Sequence, residues 1–125
     1  MELARKVVLI DDNSDLTLTV RLFLSLSGHL VYDAETARDG LSLIAQVRPD
    51  VVFSDIDLPD RDGFELAQLV KQDPELRRIP LIAVTARAEL ATSAPDDHCF
   101  DRILIKPVPL ATILGIVQES PCQPN

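Results

Sequence analysis

Asp11, Asp12, Asp55, Thr85 and Lys106 are the side chains of this sequence whose types and placement could do chemistry together. Each stands at or just past the end of a short apolar, β-branched run. Lys6-Val7-Val8-Leu9-Ile10 leads into Asp11-Asp12, and Val51-Val52-Phe53-Ser54 leads into Asp55. Leu81-Ile82-Ala83-Val84 ends on Thr85, and Arg102-Ile103-Leu104-Ile105 ends on Lys106. Runs of this kind read as buried parallel strands, and in an open α/β sheet ligands sit at the carboxyl ends of the strands. Three carboxylates crowded there would repel, with at least one pKa raised, unless a cation neutralised them. Mg2+ is suited to the task, because it takes oxygen ligands and leaves room in its shell for phosphate oxygens. One carboxylate would be left free to attack phosphorus, a known route to an aspartyl phosphate, and Asp55 is the first candidate for chemistry. Lys106 and the metal would stabilise charge on the equatorial phosphoryl oxygens, and Thr85 would donate its hydroxyl to one of them. Singly these signals are weak, since an acidic pair can be a solvated turn, a threonine a cap and Lys-Pro a plain loop. Their order, each at a strand end, is what chance does not readily supply.

The elements that must position these residues can be read between them. Asn13 or Ser14 can cap a helix that Gly28 ends. From Leu16 to Leu26 apolar and polar residues nearly alternate, as in a strand, but the run is too long for one and its ends carry helix signals. Leu16, Val20, Phe23, Leu24 and Ser27 would form its inward face. Leu18, Leu22 and Leu26 then form a second stripe, which is either covered by neighbouring elements or offered as a docking face. Leu30 to Ala34 reads as a second strand, followed by Thr36-Ala37-Arg38-Asp39, a capping box with Asp in place of Glu. The next helix runs through Ala37, Leu41, Ile44 and Ala45 and stops before Pro49. A third helix runs from about Gly63 to Asp73-Pro74, and a last one from about Leu110 to Glu119, with Leu110, Ile113, Leu114 and Val117 inward. Ala88 to His98 is expected to hold only a short or irregular helix, since Pro95 breaks it.

Strand and helix thus alternate through five strands, which predicts an α/β fold: a doubly wound, five-stranded parallel sheet with helices on both faces. The flavodoxin-like order 2-1-3-4-5 places the first and third strands side by side and brings Asp11, Asp12 and Asp55 to one edge. A chain of 125 residues is enough for one domain with its own core, expected over residues 1–120 with a disordered tail over 121–125. The net charge of −8 argues against direct nucleic-acid binding, which needs a basic footprint. No apolar run reaches bilayer length and the N-terminus is no signal peptide, so a cytoplasmic protein is expected, without membrane contact. Cys99 and Cys122 have neither metal spacing nor a paired framework and read as free thiols.

Over nearly its whole length the chain resembles the receiver domains of two-component response regulators. The resemblance is carried by Leu9-Ile10-Asp11-Asp12-Asn13, by Asp55-Ile56-Asp57-Leu58-Pro59-Asp60-Arg61-Asp62-Gly63, by Val84-Thr85-Ala86 and by Ile105-Lys106-Pro107. It implies that Asp55 takes a phosphoryl group from a histidine of a sensor kinase or of a histidine phosphotransfer protein. It also implies that Asp12, Asp55 and the backbone carbonyl of Asp57 bind Mg2+, with Asp11 assisting through water. Lys106 would pair with the phosphoryl group, and its bond to Pro107 is expected to be cis. Phe100-Asp101-Arg102 and Lys106-Pro107-Val108 look most like receivers fused to hybrid sensor kinases. Asp57 and Arg87 occupy the positions where the family tunes acyl-phosphate hydrolysis, and they either form an ion pair across the mouth of the site that hinders water or are both simply solvated. The chain departs from the pattern at Ile103, where an aromatic residue or histidine is usual, so no ring stands there for a rotamer switch. It departs again at Cys99, where the turn usually carries Gly, and in a loop about one residue shorter that contains Pro95.

No DNA-binding or catalytic domain follows within these residues, so either the output is contact with an output protein that the sequence does not name, or the chain is a piece of a larger protein. The leucine stripe would suit the phosphodonor's helices or a second copy of the chain, as a homodimer. Two other readings compete. Asp55-Ile56-Asp57 also resembles the paired aspartates of haloacid-dehalogenase-type phosphatases, which place the pair after the first strand and add a cap or a longer core. A pseudo-receiver would act as an interaction module without phosphorylation.

Overall fold

The computed structural model describes residues 4–92 and 99–121. Its strands are β1 (Lys6–Ile10), β2 (Leu30–Ala34), β3 (Val51–Ser54), β4 (Leu81–Thr85) and β5 (Arg102–Ile105). They form one parallel sheet in the order β2-β1-β3-β4-β5, as the strand–helix alternation predicts. The helices are α1 (Ser14–Leu26), α2 (Ala37–Val47), α3 (Gly63–Gln72) and α4 (Leu110–Glu119). Ala88–Thr92 forms a single 3-10 helix, the short element expected there. Residues 93–98 with Pro95, and the tail 122–125 with Cys122, lie outside the described residues.

Two cores follow from the pleat, since successive side chains of a strand face opposite sides. Val8 and Ile10 of β1, with Val52 of β3, pack with Ala37 and Ile44 of α2 and Leu66, Ala67 and Val70 of α3. Val7, Leu9 and Phe53 point the other way, onto Val20 and Leu24 of α1 and Ile113, Ile116 and Val117 of α4. β3 and β4 are buried throughout, the state of a strand covered on both faces.

α1 is helical in spite of its strand-like alternation. Asn13 caps it, its side chain accepting the Leu16 N–H at 3.2 Å. The buried face is Thr17, Val20 and Leu24, which corrects two positions of the expected face: Ser27 is exposed beyond the helix end, and Thr17 takes the inward place beside a half-buried Leu16. The second stripe is not covered by neighbours. Leu18, Leu22 and Leu26 are 54%, 55% and 88% exposed.

Ordinary start and stop signals frame the other helices. Thr36 accepts the Asp39 N–H at 3.1 Å at the start of α2, and Asp62 accepts the Phe64 N–H at 2.9 Å at the start of α3. At the opposite end of the sheet, Arg5 donates to the Ser120 carbonyl at 2.7 Å and to the Gln118 carbonyl at 3.0 Å. That contact ties the start of the chain to the last turn of α4, where a cation is favoured. Cys99 has a φ of +66°, left-handed backbone, which accounts for a glycine being usual at that turn. Among the described residues, no helix is long and apolar enough to cross a membrane.

Candidate functional site

The site is built by continuing the sheet's hydrogen-bond ladder one residue past its strands. The Asp11 N–H donates to the carbonyl of Ala34, the last residue of β2, at 3.0 Å. The Asp55 N–H donates to Ile10, the last of β1, at 2.8 Å, and the Lys106 N–H donates to Thr85, the last of β4, at 2.8 Å. Each functional side chain is thereby mounted on a backbone fixed by the neighbouring strand, at the edge where strand ends converge.

The carboxylates of Asp11, Asp12 and Asp55 come together, with one oxygen of each lying within 4.8 Å of the others. Lys106 Nζ reaches into the group, 3.0 Å from Asp11 Oδ2 and 3.2 Å from Asp55 Oδ2. The remaining oxygens of Asp11 and Asp55 are held by backbone. Asp11 Oδ1 accepts the Asn13 N–H at 2.9 Å, and Asp55 Oδ1 accepts the Ile56 N–H at 2.7 Å. Burial disfavours the charge on Lys106, but the hydrogen bond and charge of Asp11, followed by those of Asp55, outweigh it and raise its pKa above the ordinary lysine value. The lysine therefore stays cationic at neutral pH. One ammonium faces three carboxylates, and the donors are oxygen throughout, so the residues present fit a hard divalent cation.

The other predicted site residues lie nearby but are engaged differently. Thr85 is fully buried, and its hydroxyl accepts the Arg87 N–H at 3.1 Å. The hydroxyl proton remains available for donation. Asp57 is absent from the carboxylate cluster. Its side chain points to Arg87, Oδ1 to Nη1 at 3.5 Å, which forms an ion pair. Both partners are well exposed, so the pair adds little to stability. The Lys106–Pro107 bond is cis, as expected. Ile103 packs against the α2–α3 core.

One contact beside the site is not legible in the sequence. Asp60 spans from the loop after β3 to the start of α2, Oδ1 accepting the Ala37 N–H at 2.8 Å and Oδ2 the Arg38 N–H at 3.0 Å. The Ala37 bond, then the Arg38 bond, hold its pKa below the ordinary 3.8. A carboxyl whose folded pKa lies below its unfolded one contributes stability that is complete above the unfolded value. That contribution fades as the pH falls through the folded value. Urea denaturation of Asp60→Ala against the unaltered chain, between about pH 2 and 6, is expected to show a stability gap that narrows on acidification. A gap independent of pH would contradict it.

The family described as "Response regulator receiver domain" matches residues 7–118. The polar-differentiation response regulator DivK of Brucella anthropi is 39% identical over 87 residues, covering 67% of this chain and 68% of that protein. A CheY-like receiver domain structure from Methanospirillum hungatei superposes with a TM-score of 0.82 at 28% identity, covering 94% of this chain and 93% of the other. The receiver domain of a sensor histidine kinase from Pseudomonas aeruginosa, described with a magnesium ion in its active-site cleft, shares the fold. Its TM-score is 0.80 at 23% identity, with 94% and 98% of the chains covered. Neither a phosphatase of the dehalogenase type nor a phosphorylation-independent module is favoured by any of these matches. The chain belongs to the response regulator receiver domain family, the phosphorylation-dependent signalling modules of two-component systems.

Proposed function

We propose that Asp55 is the residue phosphorylated in this receiver, with Lys106 and Thr85 as its catalytic partners. The supporting observation is the orientation of its carboxylate: Oδ1 is held by the Ile56 amide, and Oδ2 faces the Lys106 ammonium inside the acidic cluster. Asp55 Oδ2 forms a bond to phosphorus as the P–N bond to the donor's imidazole breaks. The imidazole leaves with the bonding electron pair and takes up a proton. Lys106 balances negative charge on the phosphoryl oxygens, and the Thr85 hydroxyl donates to one of them. Asp11, Asp12, Asp55 and the Asp57 carbonyl would hold Mg2+, which when bound supplies charge neutralisation and an ordering centre for phosphoryl oxygens. Exposure to acetyl phosphate with Mg2+ is expected to label one site per chain and then stop. Sustained turnover of a phosphate monoester would instead mark a phosphatase.

The donor we infer is a phosphohistidine on a kinase or phosphotransfer protein, docked on the exposed ridge of α1. Leu18 and Leu22 are more than half exposed on the helix that follows Asp12, so a helix lying on them is placed beside the acidic cluster. The double change Leu18→Lys with Leu22→Lys is expected to slow phosphotransfer from such a donor about tenfold or more. Labelling by acetyl phosphate should be unaffected. Equal loss with both donors would rule out docking on this ridge.

A further inference from the structure

We propose that Asp60 is a positioning residue for the metal site: its bonds to the start of α2 hold the loop that carries the Asp57 carbonyl in place beside Asp55. This rests on the proposal above that Mg2+ binds there.

The loop is closed at its base and tied down near its tip. At the base, the Gly63 N–H donates to the Ile56 carbonyl at 2.7 Å, and Asp57 and Asp62 form an isolated antiparallel bridge. Near the tip, half-buried Leu58 packs on the α2–α3 core, and Asp60 makes the polar contact with α2. An exposed aspartate held by two short bonds to residues 23 and 22 positions away is more than a solvated charge.

The contact is also matched from the side of the helix. A helix leaves its first four N–H groups without intrahelical partners. In α2 the three that follow the cap residue are taken: Ala37 and Arg38 donate to Asp60, and Asp39 donates to the Thr36 hydroxyl at 3.1 Å. The Gly40 N–H then makes the first intrahelical bond, to the Thr36 carbonyl at 2.9 Å. Thr36 therefore completes the ordinary cap, and Asp60 supplies the two acceptors that no local residue provides. Ala37 is fully buried, so water is a poor substitute at its amide. A carboxylate at this position also benefits from the positive end of the helix. Reciprocity of coupling then requires that whatever orders the loop also orders the first turn of α2.

The test uses Mg2+ itself, titrated calorimetrically into the whole chain, with amide exchange at Ala37 and Arg38 as the second readout. Asp60→Ala is expected to weaken Mg2+ binding about fivefold, and Asp60→Asn, which keeps one acceptor oxygen, is expected to lie between. In the unaltered chain, Mg2+ should slow exchange at both amides. Thr36→Ala is the control, because it removes a cap of the same helix without touching the loop, and it should bind Mg2+ as the unaltered chain does. Unchanged Mg2+ affinity in Asp60→Ala, or an equal loss in Thr36→Ala, would overturn the proposal and leave Asp60 as a helix cap only. Failure of the unaltered chain to bind Mg2+ would instead overturn the metal reading, and is told apart by its independence of any substitution.

Discussion

Lys106→Met is expected to slow phosphorylation by acetyl phosphate about a hundredfold or more while tightening Mg2+ binding several-fold. The two effects have opposite signs because the ammonium does two things in one place. It lies 3.0 Å from Asp11 Oδ2 and 3.2 Å from Asp55 Oδ2, so it competes with a cation for the oxygens that would hold it. Methionine keeps most of the side-chain volume but leaves three carboxylates with no neutralising partner, and a divalent ion then meets a more negative site. During the proposed phosphoryl transfer the ammonium would balance charge that builds on the phosphoryl oxygens, a role that a neutral methionine cannot take. Calorimetry for Mg2+ and quenched labelling for the rate read the two effects separately. Weaker Mg2+ binding in Lys106→Met would show that the lysine orders the carboxylates more than it competes for them.

Gly63→Ala is expected to destabilise the chain by about 2–3 kcal/mol, visible as a fall in Tm of roughly 10 °C. A Cβ on Gly63 would stand 2.7 Å from the Asp55 carbonyl oxygen and 2.8 Å from Ile56 Cα. Both are backbone atoms, in the segment that carries the proposed phosphoryl acceptor and accepts the Gly63 N–H, so relief requires moving the site itself. Gly40 makes an instructive contrast. A Cβ there meets the Ile10 side chain, with Cδ1 the nearest atom and Cγ1 at 2.8 Å. An isoleucine can turn aside where backbone cannot, so Gly40→Ala should cost less. Urea denaturation of the two variants gives the order directly, and a smaller loss for Gly63→Ala than for Gly40→Ala would contradict it.

Much of this was legible in the sequence because the sheet is simple. Apolar runs ending in Asp11, Asp55, Thr85 and Lys106 mark strand ends, and parallel topology leaves one edge on which strand ends can meet. Even α1, whose pattern suggested a strand, was recovered from its length and its Asn13 and Gly28 boundaries. What was not legible depends on crossings between distant segments. The loop after β3 contains Asp57, Asp60 and Asp62, and their order does not show that the first pairs with Arg87, the second reaches α2 and the third caps α3. Thr17 replaces Ser27 on the buried face of α1 because the helix stops at Leu26 and its axis sets which stripe meets the sheet. Nor does the sequence show that the Thr85 hydroxyl accepts the Arg87 amide, a bond that leaves its own proton free to donate.

The most direct measurement is the fate of Asp55 under a small phosphodonor. With acetyl phosphate and Mg2+, the unaltered chain is expected to gain one acid-stable, base-labile phosphoryl group, which is lost in Asp55→Asn and in the presence of a chelator. A label that persists in Asp55→Asn, or that forms equally well without Mg2+, would contradict the assignment of Asp55 as the phosphoryl acceptor at a metal-dependent site.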